Sequence, residues 1–154
     1  MSDVVKNKTG VGYDTDFQQW LEGQIRLLTE ARFGELDIPN ILEELEAIAK
    51  KDKREIRSRL IVLLTHLLKY SYQPNRRSRS WLTTLSKQRN RIELVLEDSP
   101  SLAGYAALVL ESAYTKARRE AASETGLELA LFPSECPYTP EQILDPEFLP
   151  DEQT

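Results

Sequence analysis

Leu60-Ile61-Val62-Leu63-Leu64-Thr65-His66-Leu67-Leu68 is the stretch that decides the fold. It is apolar nearly all round, so no solvent-facing stripe can be drawn on it. It has neither the alternation of a half-buried strand nor the ~20 apolar residues of a membrane span. A helix that is apolar on every side is the central, most buried helix of a domain.

Outward from it, Ile41, Leu45, Ile48, Ile56, Leu60, Leu63 and Leu67 extend one stripe, interrupted where Asp52 sits. Asp37 can cap this helix, with Pro39 tolerated in its first turn. Tyr72 precedes Gln73-Pro74, and the residue before a proline is pushed out of helical geometry. The spacing therefore predicts about 35 residues of helix, or about 50 Å, with a kink or break expected near Lys50–Lys53. Before it, a helix is expected from Asp14 to about Gly34, with Phe17, Trp20, Leu21, Gln24, Leu28 and Ala31 on one face. After it, a third helix begins near Ser78 or Ser80, with Trp81, Leu85, Ile92 and Leu96 inward and Gln88 between them. Ser99-Pro100 reads as the cap and first residue of a fourth, which stops at Gly126. The expected fold is all-α: a four-helix antiparallel bundle with one long central helix and an extended Pro-rich C-terminal arm.

The expected organisation is one domain. Residues 1–12 are a loose lead-in, 13–126 the bundle and 127–154 the arm. The arm holds Pro133, Pro137, Pro140, Pro146 and Pro150, but also nine large apolar residues, among them Phe132, Tyr138, Ile143 and Phe148. A disordered tail lacks such residues, so the arm is expected to pack on the bundle. Thr139-Pro140-Glu141-Gln142 reads as a capping box opening one short helix inside it.

Charge is segregated along the 154 residues. Residues 1–49 carry 4 Lys/Arg against 10 Asp/Glu (net −6), residues 50–91 carry 13 against 2 (net +11), and residues 92–154 carry 3 against 13 (net −10). Internal pairing is the first expectation, with Arg54 or Arg57 meeting Asp14, Asp16, Glu93 or Glu97. The single cysteine, Cys136, allows no intrachain disulfide, and no signal-peptide run opens the chain. Both fit a cytoplasmic protein that does not engage a membrane.

Several runs together resemble a bacterial family known as domain of unknown function 29, abundant in cyanobacteria. They are Tyr13-Asp14-Thr15-Asp16-Phe17 with Trp20, then Asn40-Ile41-Leu42-Glu43-Glu44-Leu45-Glu46. Leu63-Leu64-Thr65-His66-Leu67-Leu68-Lys69-Tyr70 follows, running into Tyr72-Gln73-Pro74. Arg76-Arg77-Ser78-Arg79-Ser80-Trp81 comes next, and Phe132-Pro133 with Cys136-Pro137-Tyr138-Thr139, ahead of Gln142 and Leu144, closes the set. The resemblance covers about residues 13–150. It implies a helical fold and a bacterial source, and it brings no activity with it.

The most pointed candidate site is Arg76, Arg77, Ser78, Arg79 and Ser80. Cations are disfavoured at a helix N-terminus, where free N–H groups and the helix dipole attract anions. Guanidinium forks, hydroxyls and amides are the parts of a phosphate or carboxylate site. The alternative is structural: Arg76 and Arg77 close the last carbonyls of the preceding helix. Lys50, Lys53, Arg54 and Arg57 share one side of the long helix and could contact nucleic-acid phosphates. Against that reading stand a sequence pI near 5.1 and the i,i+4 pairs Glu46→Lys50 and Glu55→Arg59. His66, the only histidine, reads as a hydrogen-bonded core residue before it reads as a base. Glu43, Glu44 and Glu46 read as an acidic first turn; no Glu-x-x-His pair accompanies them, so no metal is expected. Cys136 has no basic neighbour to activate it. No cofactor motif is present. The leading expectation is a non-enzymatic interaction or regulatory module whose partner, a protein or ligand, presents an anionic surface. Nucleic-acid binding is second, and an enzyme acting on a phosphorylated small molecule, with His66 as base, is third.

Overall fold

The computed structural model describes residues 12–152; the expected lead-in, apart from Gly12, lies outside them. The chain is all-α, and no strand occurs among the described residues. The helices are α1 (Phe17–Thr29), α2 (Ile38–Tyr72), α3 (Arg79–Asp98), α4 (Tyr105–Thr125) and the short α5 (Pro140–Leu144), joined by single 3₁₀ turns. No described helix is long and apolar enough to cross a membrane. The chain divides into two compact units, Met1–Lys50 and Lys51–Thr154. The long helix runs through residues 50–53 as continuous α-helix, so the expected break is not found there.

The first unit is a helical hairpin. Gly12, at φ +94°, turns the chain so that its carbonyl accepts from the Asp16 amide at 2.7 Å. Asp16, not Asp14, is the N-cap of α1: its carboxylate accepts from the Gln19 amide at 3.0 Å, while Asp14 is consumed by the preceding turn. The helix stops at Thr29 rather than near Gly34, because Ala31 adopts φ +56°. The Arg32 and Ala31 amides then return to the Leu27 and Leu28 carbonyls, closing the end as a Schellman turn does with glycine. As the first arm recedes from Trp20 to Tyr13, its partner on the other arm advances from Asp37 to Glu44, so the arms are antiparallel. The hairpin buries little apolar surface: Trp20 is its only buried hydrophobic residue among the described residues. Of the expected α1 face, Phe17 and Leu28 are exposed, as are Leu45 and Ile48 of the α2 stripe.

The second unit holds the core. Ile56, Leu60, Leu63, Leu64, Leu67 and Leu68 of α2 meet Leu85, Ile92 and Val95 of α3 and the alanine row Ala113, Ala117 and Ala121 of α4. Small residues at four-residue spacing let α4 approach closely, with Tyr114 filling the remaining space. Arg59 of α2 reaches Gln88 of α3, and Lys69 near the end of α2 reaches Glu124 near the end of α4. These pairs set an up-down-up order. Ser99-Pro100 does not open α4; Pro100–Leu102 forms a 3₁₀ turn instead, and α4 starts after Gly104. It ends at Gly126, whose φ of +73° only glycine adopts without cost.

The arm belongs to this core. Phe132, Tyr138 and Ile143 are buried, while Leu129, Leu131 and Leu149 face outward. The capping box forms as read, with Thr139 Oγ1 accepting from the Gln142 amide and Gln142 Oε1 from the Thr139 amide. Elsewhere the proline-rich backbone cannot satisfy its own carbonyls. Helix side chains do so: Tyr114 donates to Pro133, Arg118 to Phe132 and Ser71 to Asp151.

Candidate functional site

The junction between α2 and α3 is built by two of its five candidate residues. Arg77 Nε donates to the Tyr70 carbonyl at 2.8 Å, one of the orphan carbonyls at the end of α2. Its guanidinium lies 4.0 Å from the Tyr70 ring centroid, and Nη1 is 3.3 Å from Glu152 Oε1. Nη2 is buried without a hydrogen-bond partner among the described residues. Arg77 is therefore occupied in closing α2. Ser78 is the N-cap of α3, its hydroxyl accepting from the Trp81 amide at 3.3 Å. Arg76, Arg79 and Ser80 are exposed. Neither Arg76 nor Arg79 has a carboxylate within 4.0 Å among the described residues. Lys69 stacks 5.0 Å from the Trp81 ring centroid while pairing with Glu124 at 3.0 Å, so its charge is already answered.

The basic residues of α2 behave differently. Lys53 and Arg54 are exposed and Arg57 is half-buried, while Lys50, also exposed, ends the first unit. Within the second unit, neither Arg54 nor Arg57 has a carboxylate within 4.0 Å among the described residues. The expected pairing with Glu93 or Glu97 is thus replaced by Arg59–Glu55 at 3.3 Å along α2 and Lys69–Glu124 between helices. Exposed arginines gain little from pairing in water, so packing rather than charge decides which pairs form. Lys53 Nζ lies 5.8 Å from the Tyr105 ring centroid.

His66 Nδ1 is 3.0 Å from the Val62 carbonyl, to which it must donate, leaving Nε2 as the acceptor. Burial, reinforced by Lys69 and opposed by the Val62 bond, holds its pKa below the ordinary histidine value. A depressed folded pKa means the unfolded chain binds more protons as pH falls through the ordinary value. Stability is thus complete above about pH 6.5 and declines below it. His66→Gln is expected to flatten that decline; melting curves from neutral to mildly acidic pH test it, and parallel curves for the two proteins would refute it.

Cys136 is inert. Burial pushes its thiol up to about 11, and Sγ lies 3.4 Å from the Tyr138 carbonyl. Glu44 accepts from the Tyr13 hydroxyl at 2.7 Å, which pushes that phenol up to about 12. No cluster of three potential metal-binding side chains occurs among the described residues.

Two polar centres escaped the sequence reading. Arg89 is buried on the core side of α3, donating to the Ile143 carbonyl at 2.8 Å and the Phe148 carbonyl at 3.0 Å, with Pro146 at 3.5 Å. The available signal was a charge standing four residues after Leu85 and three before Ile92, inside the apolar stripe. Asp37, read as a cap, is buried; Trp20 Nε1 and Asn40 Nδ2 both donate to its carboxylate, at 2.9 and 2.7 Å.

No curated protein and no solved structure matches the chain in sequence or fold comparison. A family model does, over residues 12–149. The chain accordingly belongs to the family described as Domain of unknown function DUF29.

Proposed function

We propose that this protein is a cytoplasmic, non-enzymatic interaction module that engages an anionic group of its partner at the α2–α3 junction. One observation carries the reading. Arg77 and Ser78 are spent on building the turn, yet Arg76 and Arg79 remain exposed and unpaired at the start of α3. Cations are unfavourable there unless an anion joins them. Arg79 and Ser80 contribute the open amides of the first turn. A phosphate or carboxylate bridging the two guanidinium groups would relieve the repulsion and meet the N–H groups directly.

Sulfate and chloride at equal ionic strength test this by thermal melting. Sulfate at about ten times its Kd stabilises by about 1.4 kcal/mol, worth roughly 3–6 °C for a chain of this size. Sulfate also stabilises proteins by exclusion from their surface, so Arg76→Ala/Arg79→Ala is the control. The double variant is expected to lose the excess response. Equal responses in both proteins would remove the site.

Nucleic-acid binding is the second reading, favoured by the unpaired Lys53, Arg54 and Arg57. It requires oligonucleotide affinity that falls steeply with salt and that Arg54→Ala/Arg57→Ala weakens.

A further inference from the structure

Among the described residues of the first unit, one large hydrophobic residue, Trp20, is buried and eight are exposed. Ile25 and Leu28 of α1 and Ile38, Leu42, Leu45 and Ile48 of α2 are each between 51% and 64% exposed. At 100° per residue, Ile25 and Leu28 fall clockwise of the buried Trp20–Gln24 line of α1. Ile38, Leu42 and Leu45 fall clockwise of the Asp37–Glu44 line of α2. In an antiparallel hairpin, equal rotation from the mutual contact brings both rows to the same side. The result is a two-helix apolar face, with polar contacts sealing the seam between its helices. Isolated exposed leucines need no explanation, but a contiguous patch marks a binding surface.

The rim of this face selects the occupant. Residues 12–50 carry nine Asp/Glu against three Lys/Arg. Glu22 stands beside Ile25 at the outer edge of α1, and Glu46 beside Leu42 at the outer edge of α2. Neither Glu22 nor Glu46 has a cation within 4.0 Å among the described residues. Arg32, by contrast, is held by Glu30 and Glu35 at 2.8 and 2.6 Å. The ten-residue rise from Ile38 to Ile48 is about 15 Å, or roughly three helical turns. We propose that this face receives an amphipathic helix of another protein whose apolar stripe is bordered by Lys and Arg. Such a helix would complete a three-helix layer, and its cations would meet the acidic rim. The proposal is independent of the junction site.

The test uses the full chain and two labelled peptides of about 18 residues with the same leucine stripe, one with Lys flanks and one with Glu flanks. Fluorescence anisotropy in about 150 mM salt is expected to show the Lys peptide binding at least about tenfold tighter. Leu42→Asp is expected to weaken it about tenfold, and Glu22→Lys/Glu46→Lys to erase the preference between peptides. Glu93→Lys/Glu97→Lys, acidic positions of the second unit, should change neither result. All these positions are exposed, and circular dichroism confirms that each variant folds. Three outcomes would overturn the proposal: equal affinity for the two peptides, no binding of either, or loss of the preference in the Glu93/Glu97 variant. A concentration-dependent dimer dissociated by Leu42→Asp would also overturn it, by assigning the face to a second copy.

Discussion

A chain cut after Gly126 is expected to lose its cooperative melting transition or to melt far below the intact protein. The arm supplies Phe132, Tyr138 and Ile143 to the same buried cluster as Leu64, Leu67 and Tyr114. Burying three such side chains is worth about 5–9 kcal/mol in total, against a typical net stability of roughly 5–15 kcal/mol. The cut also strips Arg89, Arg118 and the Tyr114 hydroxyl of their carbonyl acceptors, and buried donors left unpaired cost further. Scanning calorimetry decides the matter. A truncated chain melting within a few degrees of the intact one would mean that the arm is an appendage.

Replacing Arg89 is expected to release the arm without removing it. Arg89→Met keeps most of the aliphatic stem but leaves the Ile143 and Phe148 carbonyls unpaired. Each unsatisfied buried acceptor costs about 1–3 kcal/mol, so a loss of about 3 kcal/mol is expected, or roughly 6–12 °C. Arg89→Lys should recover only part of it. An ammonium is a point donor and cannot reproduce a fork spread over separate carbonyls. The arginine already bears a cost, since burial lowers its pKa and Asp145 only partly opposes that. Hydrogen exchange across residues 140–150 should rise in Arg89→Met while the α2 core stays protected. Unchanged exchange in the arm would show that packing alone holds it.

What could be read from the chain was whatever local chemistry decides. The all-round apolar run at Leu60–Leu68 fixed the core helix, and it is the most buried segment. Ser78, Gly126 and the Thr139–Gln142 box mark helix ends because a side chain or a left-handed φ acts within one turn. The errors arose where two local solutions compete. Asp14 and Asp16 both suit a cap, and the Gly12 turn chooses between them. Ser99-Pro100 suits a 3₁₀ turn as well as an α-helix start. Apolar periodicity gave the stripe through Leu45 and Ile48 but not what covers it, because spacing is silent on burial. The junction was legible as three arginines interleaved with two serines. That Arg77 stacks on Tyr70 and spans to Glu152 depends on the arm's return across 75 residues, which no local pattern encodes.

The anion site at the junction is tested most directly by titrating inorganic sulfate into isotopically labelled protein and following backbone amide resonances. Saturable shifts centred on the amides of Arg79, Ser80 and Trp81, absent from the Arg76→Ala/Arg79→Ala protein, are the expected result. Shifts confined to Lys53–Arg57, or small and linear changes spread over the whole chain, would contradict it.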